Sequence, residues 1–292
     1  MRRSVLLCDE KKLEKMEMKT KKTWIAKKTQ KIFDQVNEFF TIYGSMTVRQ
    51  VFYQLVSKGY DYRQIQNALK VGRERGLIPL DKIVDRSRPS YGINVYDNPQ
   101  QSMDSTVNQY KLDYWNDQPY RVEVWTEKDA LSQIMYEVAG DYRVPVRVTR
   151  GFLSDSNKIK WQQQGLVVLY FGDFDPSGLC MDEELDENNY LSGVNFERIS
   201  LTIDQTKQYN LPSVPVKMDD PRAKKYVTKY GKRCWELDAL DPNLLRALVS
   251  KSIRSHITFD LEQKIREENI QRQQLVILRD AMNEVLGGES VE

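Results

Sequence analysis

The sequence predicts an α/β protein in which an N-terminal winged-helix domain precedes a domain with a mainly parallel sheet and C-terminal helices. Three observations support this fold class. Apolar residues recur at helical spacing in three segments before residue 76. From Tyr120 onward, strand-like and helix-like segments alternate, which is typical of parallel α/β sheets. The run GLVVLYFG at 165–172 is continuously apolar, as in a strand that is buried on both faces.

The first domain is predicted to contain three helices. Each is flanked by residues that start or stop helices, such as Thr47 as an N-cap and Gly76 as a terminator. The predicted helices cover residues 24–42, the segment from Thr47 to Gly59, and Tyr62–Arg75. Short alternation around Pro79 in residues 77–88 predicts a small β-wing, so the whole segment resembles a winged helix-turn-helix unit.

The third predicted helix has an apolar face and a basic face. Ile65, Leu69 and Val71 point inward at helical spacing. The basic residues that point outward are Arg63, Lys70, Arg73 and Arg75. Because cationic side chains on one helix face suit the phosphates of DNA, these four are the candidate DNA-binding residues.

The net charge of +2 over 292 residues does not by itself indicate a nucleic-acid partner. The distribution of charge is more informative. Lys and Arg are concentrated in the first third of the chain, whereas Asp and Glu are concentrated at 173–188 and 236–241. This pattern favours phosphate binding in the first part and cation binding in the second, with two solvated surfaces as the simpler alternative.

The composition predicts a soluble, cytoplasmic protein. The sequence contains no run of about 18 apolar residues, and the apolar stretch near its start is too short for a signal peptide. The three cysteines are widely spaced and fit neither a disulfide framework nor a zinc knuckle. Cys8, Cys180 and Cys234 are therefore expected to be packing residues.

The domain boundary is predicted near Gln118, which divides the chain into residues 1–118 and 119–292. Residues 90–118 are rich in polar and turn-forming types and are expected to form a connection with some helix. The predicted strands are YRVEVWT, VPVRVT, GLVVLYFG and ERISLT, which begin at residues 120, 144, 165 and 197. Helices are predicted after the first and second strands, and again in the C-terminal region from Pro242.

Three carboxylates follow strands of this predicted sheet. Glu127 follows the first strand, and Asp173 and Asp175 follow the third. Because parallel strands end at the same edge, where such folds bind ligands, the three side chains are expected to form one cluster. With no permanent cation nearby they would repel one another, and binding of Mg²⁺ through carboxylate oxygens would relieve that repulsion. A metal there would polarise a phosphodiester, although a DxDxxG segment taken alone more often indicates a structural turn.

The segments TEKDA at 126–130 and GDFDPSG at 172–178 resemble a Toprim domain, the Rossmann-like metal-binding module of topoisomerases, primases and several nucleases. The resemblance covers roughly residues 120–250. Within that group, the two segments look most like the A subunit of topoisomerase VI and its meiotic double-strand-break relative. The fold that this resemblance implies is a Toprim domain with C-terminal helices.

The resemblance also implies roles for individual residues. Glu127, Asp173 and Asp175 would be ligands of Mg²⁺ or Mn²⁺, and Glu127 is in addition a candidate catalytic acid or base. Lys128 would contact a phosphate. The alternative is a degenerate Toprim fold that is kept for binding only.

A second resemblance concerns TVRQVFYQL at 47–55, which is similar to the helix that bears the catalytic tyrosine in the same proteins. In that helix an arginine precedes an aromatic pair by three residues, and Arg49, Phe52 and Tyr53 match this pattern. The resemblance implies that Tyr53 attacks phosphorus to form a phosphotyrosine, with Arg49 and metal charge favouring the phenolate. Taken alone, the segment is an ordinary amphipathic helix, and it departs from the family in having Phe as the first aromatic residue. The fallback nucleophiles are Tyr60 and Tyr62.

The sequence also contains titratable residues outside these motifs. His256, the single histidine, lies in a predicted helical region and cannot support a catalytic triad or a histidine-based metal site. The segment CWELDALDP at 234–242 contains Glu236, a candidate neighbour of the metal site. More often such a segment leads into a helix, here with Asp241 as the N-cap. The acidic run expected to form an exposed helical face is Asp182, Glu183 and Glu184.

The combined motifs predict a metal-dependent enzyme of type IIB topoisomerase A-subunit character, which makes double-strand breaks by tyrosine transesterification. The resemblance implies a homodimer on double-stranded DNA, with the tyrosine of one subunit meeting the metal site of the other. No GxxxxGK[ST] or GxGxxG motif occurs, so ATP-driven strand passage would need a separate ATPase subunit. Such a protein is expected to be nucleoid-associated. The alternatives are a hydrolytic Toprim nuclease that uses metal-activated water and a non-catalytic DNA-binding component of a larger complex.

Overall fold

The computed structural model describes four stretches of the chain, residues 26–83, 93–149, 165–179 and 194–288, with side chains up to residue 285. The chain divides into two compact units, Met1–Val84 and Asp85–Glu292. Within the described stretches, no helix combines the length and the apolar character that a membrane span requires.

Some of the sequence-based predictions fall outside these stretches. They concern the basic run before residue 26, the helix after the second strand, Cys8, Cys180, and the acidic residues Asp182, Glu183 and Glu184. These predictions remain expectations from the sequence.

The described part of the first unit contains three α-helices, as predicted. They are α1 (Lys27–Tyr43), α2 (Val48–Leu55) and α3 (Tyr62–Glu74). Helix α2 begins at the predicted N-cap, because the Thr47 side chain accepts a hydrogen bond from the backbone N–H of Gln50 and the Gln50 side chain accepts one from Thr47. A 3₁₀ turn over Val56–Lys58 continues the helix to Gly59, whose φ of 77° favours glycine.

The three helices enclose an apolar core of their own. Ile65 and Leu69 of α3 are fully buried, as predicted, whereas Val71 is half-buried. Gly72 lets α3 approach the segment that follows it, because a Cβ at this position would lie 2.5 Å from Cγ1 of Ile78. The helical unit is therefore closed by a direct contact between α3 and the chain after it.

The predicted β-wing is described only in part. Leu80–Lys82 forms a 3₁₀ turn, and Ile83 makes a single parallel β-bridge with Met46, where the Met46 N–H donates to the carbonyl of Lys82 over 2.9 Å. Residues 84–88, the remainder of the predicted wing, lie outside the described stretches. The winged-helix character of this unit therefore stays a prediction.

A four-stranded parallel sheet forms the centre of the second unit, as predicted. Its strands are β1 (Arg121–Thr126), β2 (Val146–Val148), β3 (Leu166–Phe171) and β4 (Val194–Ser200). The strand order is β2-β1-β3-β4, and every neighbouring pair is parallel. Strand β3 is buried along its whole length, in agreement with its continuously apolar sequence. Strand β4 begins before the ERISLT segment that was predicted to form it.

In the described part of this unit, helices surround the sheet. They are α4 (Pro99–Gln109), α5 (Asp129–Ala139), α6 (Ile203–Gln208), α7 (Ala223–Tyr230), α8 (Pro242–Arg254) and α9 (Leu261–Gly288). Helices α5 and α8 pack on each other and enclose the larger apolar core together with one face of the sheet. A small antiparallel sheet pairs β5 (Val214–Pro215) with β6 (Arg233–Cys234). The predicted helical C-terminal region is confirmed by α8 and α9.

Helix α4 and the residues after it pack on α9, and they belong to the second unit. Arg279 donates to Asp104 over 3.0 Å, and the backbone N–H of Leu112 donates to the buried Glu268 carboxylate over 3.0 Å. The sequence places the boundary near Gln118 because this segment is polar. Its polar groups pair with those of the last helix, which a polar composition does not reveal.

The structure describes the surroundings of Cys234 and His256. Cys234 is buried in β6, and burial raises the pKa of its thiol to about 11, so this cysteine is a packing residue as predicted. His256 is half-buried in the turn that follows α8, and its Nε2 lies 3.2 Å from a carboxylate oxygen of Glu197. The histidine therefore serves a local polar contact.

Candidate functional site

The carboxyl ends of β1 and β3 lie side by side and carry the predicted carboxylates. In the parallel register, Thr126 pairs with Phe171, the last residue of each strand. Glu127 therefore follows β1 at the same level at which Asp173 and Asp175 follow β3. The negative charge of Asp175 contributes to raising the pKa of both other carboxyl groups. The structure thus brings the three predicted carboxylates to one edge of the sheet, called the acidic edge below.

Lys128 places a positive charge at the acidic edge. Its ammonium lies 3.1 Å from a carboxylate oxygen of Asp173 and 3.7 Å from one of Glu236, and it donates a hydrogen bond to Asp238. Burial alone would lower the pKa of Lys128, but these carboxylates outweigh it and raise the pKa above its usual value. The expectation that the carboxylates lack a nearby permanent cation is therefore wrong.

The surroundings of Lys128 bear on its predicted contact with a phosphate. The Lys128 side chain is only 16% exposed and is shared by three carboxylates. Its backbone N–H donates to the Thr126 hydroxyl over 3.1 Å, which fixes the turn from β1 into α5. The phosphate contact of Lys128 was implied by the resemblance to a Toprim domain, and no described contact tests it.

Asp173 is held from two sides. Its Oδ1 accepts a hydrogen bond from the backbone N–H of Leu237 over 2.7 Å and faces Lys128. Burial raises the pKa of Asp173 to about 6, although both Lys128 and the Leu237 N–H oppose the shift. Two nearby carboxylates, Asp175 and Asp238, add to the upward shift.

The second acidic segment, residues 236–241, is brought to the acidic edge by a backbone pairing that no local sequence pattern predicts. Phe174 and Trp235 form an antiparallel bridge with N···O distances of 2.9 and 3.0 Å. A 3₁₀ turn, Leu237–Ala239, follows, and both Glu236 and Asp238 contact Lys128. The expectation that this region leads into a helix with Asp241 as N-cap is confirmed at the start of α8.

The turn after β3 depends on a close backbone approach. The Asp175 carboxylate accepts a hydrogen bond from the backbone N–H of Gly178 over 2.7 Å, and residues 176–179 are helical. A Cβ on Gly178 would lie 2.3 Å from the carbonyl oxygen of Asp173. A glycine is therefore required at this position.

Glu127 is oriented by a tyrosine of the neighbouring strand. The hydroxyl group of Tyr170, which is fully buried in β3, donates a hydrogen bond to the Glu127 carboxylate. Burial raises the pKa of Glu127, and the hydrogen bond from Tyr170 opposes that rise. Neither Tyr170 nor this contact was identified from the sequence, in which Tyr170 reads as one more apolar residue of a buried strand.

Arg198 is the second residue that sequence reasoning missed. It lies in β4, and its guanidinium stacks over the Tyr170 ring at 5.0 Å from the ring centroid. The same group donates to the carbonyl oxygen of Gly178 over 2.8 Å. The available signal was a single arginine inside a strand next to the buried β3.

Tyr53 and Arg49 lie in the first unit. Tyr53 is only 8% exposed, and its ring packs against Phe52 with 5.1 Å between centroids. Arg49 is exposed and lies over the ring of Tyr62 at 5.7 Å. The fallback residues Tyr60 and Tyr62 are half-buried. The aromatic residues of α2 thus take part in packing, as an ordinary amphipathic helix would predict.

The basic face of α3 is present as predicted. Arg63, Lys70 and Arg75 are exposed, and Arg73 is half-buried. Helix α3 is preceded by Asp61, whose side chain accepts a hydrogen bond from the backbone N–H of Gln64 over 2.8 Å and so fixes the start of the helix. The basic residues therefore lie on a helix whose first turn is fixed by a side-chain cap.

The donor chemistry of the acidic edge suits a hard divalent cation, because Glu127, Asp173 and Asp175 offer only carboxylate oxygens. In the described stretches, however, no group of three or more His, Cys, Asp or Glu side chains converges as a metal-binding set. Lys128 holds Asp173 instead. In comparison with known proteins, no protein-family model matches the chain and no curated protein matches it significantly.

Proposed function

We propose that this protein cleaves double-stranded DNA in a reaction that depends on a divalent metal, in the manner of the A subunit of type IIB topoisomerases. The observation that carries the proposal is the acidic edge, where Glu127 follows β1 and both Asp173 and Asp175 follow the adjacent parallel strand β3. Ligands of parallel α/β sheets bind at this edge. The resemblance of residues 126–130 and 172–178 to a Toprim domain adds the reaction class.

The residues that would hold the cation are Glu127, Asp173 and Asp175. When bound, Mg²⁺ or Mn²⁺ supplies positive charge that polarises a phosphodiester and stabilises its leaving oxygen. Asp173 would have to exchange its ion pair with Lys128 for this interaction. Lys128 would then keep Glu236 and Asp238 as partners, so the exchange leaves no ammonium without a counter-charge.

Tyr53 is the proposed nucleophile. As the phenolate, its oxygen would form a bond to phosphorus while the bond from phosphorus to a deoxyribose oxygen breaks, and that oxygen would take up a proton to become the hydroxyl end of the cut strand. The phosphotyrosine conserves the energy needed to rejoin the strand. Arg49, one turn earlier in α2, would favour the phenolate. Because Tyr53 is only 8% exposed, this role requires a movement of α2 or its neighbours when DNA binds.

The burial of Tyr53 favours a second candidate, a hydrolytic nuclease in which metal-activated water replaces the tyrosine. In that case the acidic edge performs the chemistry by itself. The first unit would then serve only to bind DNA. A winged-helix form of this unit, a homodimer and a separate ATPase subunit belong to the topoisomerase-like candidate.

The experiment is incubation of supercoiled plasmid with the protein and Mg²⁺ or Mn²⁺, followed by gel analysis with and without protease. The topoisomerase-like proposal expects cleaved DNA whose ends enter the gel normally only after protease, because protein is attached to them. The hydrolase expects the same products without protease. Asp175→Asn serves as the metal-site control and should cleave in neither case. DNA binding without cleavage under either cation would contradict both enzymatic proposals and indicate a binding component.

A further inference from the structure

Arg198 contacts the turn after β3 at several points. Its Nη2 donates to the carbonyl of Gly178 over 2.8 Å, and its Nη1 donates to the carbonyl of Leu201 over 3.0 Å. Longer contacts from Nη1 reach the carbonyls of Asp173, at 3.4 Å, and Gly172, at 3.5 Å. A planar guanidinium with five N–H groups can span such a set of carbonyls. Arg198 therefore ties β4 to both ends of the turn that carries the aspartates.

The same guanidinium also contacts the residue that holds Glu127. It lies over the ring of Tyr170, 5.0 Å from the centroid, and Phe196 of the same strand packs against that ring with 5.3 Å between centroids. The Tyr170 hydroxyl donates to the Glu127 carboxylate. Arg198 thus reaches Glu127 through one intermediate side chain.

The space for this arrangement is provided by a glycine. A Cβ on Gly172 would lie 2.3 Å from the Tyr170 hydroxyl oxygen and 2.6 Å from the ring carbon Cζ. Any side chain at this position would push the Tyr170 ring away from Glu127. The residue before the first aspartate is therefore fitted to the tyrosine as well as to the turn.

We propose that Arg198, acting together with Tyr170, is the positioning residue of the acidic edge. It fixes the turn with Asp173 and Asp175 directly and fixes Glu127 through Tyr170, and so sets the spacing between carboxylates from two different strands. This inference rests on the proposed function in so far as that function needs these carboxylates to hold a divalent cation. In this proposal both residues act through the carboxylates that they position.

The geometry distinguishes this role from a simple contribution to packing. An ammonium group is a compact donor without the planar fork, so lysine at position 198 would keep the charge but not bridge the carbonyls of Gly178 and Leu201. Phenylalanine at position 170 keeps the ring, its stacking on Arg198 and its packing on Phe196, and removes only the bond to Glu127. If Tyr170 contributed only to packing, Tyr170→Phe would have little effect on Mn²⁺ affinity.

The test measures Mn²⁺ binding to the full-length protein by calorimetry, with thermal unfolding in EDTA as the readout of stability. The variants are Tyr170→Phe, Arg198→Lys and Arg198→Met. Arg147→Met is the matched control, because Arg147 lies in β2 of the same sheet and pairs with Glu123, with 2.8 Å between Nη2 and Oε1. Residues that orient metal ligands typically change metal affinity by about 10- to 100-fold, and we expect that loss for Tyr170→Phe and both Arg198 variants.

The expected pattern is a loss of Mn²⁺ affinity in Tyr170→Phe at a nearly unchanged melting temperature, no rescue by lysine at position 198, and wild-type affinity in Arg147→Met. Equal affinities of wild type and Tyr170→Phe would overturn the proposal, and so would a wild-type protein that binds no Mn²⁺. Plasmid cleavage is scored separately. A protein that binds Mn²⁺ through this arrangement but does not cut DNA would refute the proposed function and leave the positioning role standing.

Discussion

The ammonium nitrogen of Lys128 lies 3.1 Å from a carboxylate oxygen of Asp173, and the two residues follow different strands of the sheet. Their side chains are only 16% and 19% exposed, so the attraction between them is weakly screened by water. Glu236 and Asp238 share the same ammonium. Three carboxylates of the described residues, those of Asp173, Glu236 and Asp238, thus share one ammonium group.

Replacement of Lys128 by methionine should destabilise the protein by about 3–5 kcal/mol, because removal of one partner from a buried ion pair leaves the other charges uncompensated. Urea unfolding in EDTA measures the effect. Lys217→Met provides the control, since Lys217 is exposed. An unchanged urea midpoint for Lys128→Met would show that the ion pairs do not form in solution.

Asp173 should make stability depend on pH in an unusual direction. Its folded-state pKa of about 6 lies above the ordinary value of 3.8, so between these values the folded protein binds more protons than the unfolded chain. Stability contributed by Asp173 is therefore lost as pH rises through this window, with a slope of up to about 1.4 kcal/mol per pH unit. Urea unfolding of wild type and Asp173→Asn in EDTA from pH 4 to 7 isolates the contribution. A difference between the two proteins that stays constant with pH would refute it.

Gly178→Ala should disturb the turn after β3, because the new Cβ would lie 2.3 Å from the Asp173 carbonyl oxygen. We expect a loss of about 1–3 kcal/mol in stability together with weaker Mn²⁺ binding. Gly140→Ala is the matched control: Gly140 has a φ of −60° and open space where a Cβ would lie, so its stability should change by less than about 1 kcal/mol. Equal unfolding midpoints for the two alanine variants would contradict the tight approach at Gly178.

Tyr53→Phe separates the two enzymatic candidates. The substitution keeps the packing of the ring against Phe52 and deletes the phenolic oxygen, so stability should fall by no more than about 1.5 kcal/mol. Transesterification predicts the loss of both plasmid cleavage and protein-linked DNA ends, whereas Tyr60→Phe should retain both. Near-normal, metal-dependent cleavage with free ends by Tyr53→Phe would identify a hydrolytic nuclease.

DNA affinity should depend on the exposed cations of α3. Substitution of Arg63, Lys70 and Arg75 by glutamine is expected to weaken duplex binding and to lower the slope of log affinity against log salt by about 1 for each phosphate contact removed. Lys217→Gln and Lys251→Gln change exposed lysines of the second unit and should have little effect. Fluorescence anisotropy across a salt series measures the slopes. Identical slopes in the triple variant and the wild type would place the DNA-binding surface elsewhere.

The parts of the fold that the sequence predicts well are those set by local patterns. The apolar run of β3, the cap at Thr47 and the stop at Gly59 act over a few residues, and all three are observed. The same holds for the positions of Glu127 and Asp173, because strand ends determine them.

The parts that were missed depend on contacts between distant segments. The position of Asp238 beside Lys128 follows from the bridge between Phe174 and Trp235, and the role of Arg198 follows from the pairing of β4 with β3. No local pattern encodes either contact. The character of Lys128 as an internal counter-ion was missed for the same reason, since its partners lie up to 110 positions away along the chain.

The distance between Lys128 and Asp238 along the chain determines how early their contact can form during synthesis. Lys128 and Asp238 are 110 positions apart, so the counter-ion arrangement cannot be complete before residue 238 has left the ribosome. Contacts over such distances close late, because the chain entropy of a long loop must be overcome first. Asp173 lies nearer to Lys128 along the chain and can pair with it earlier than Asp238 can. The ammonium group of Lys128 therefore reaches its full set of partners only after Glu236 and Asp238 have been added to the chain.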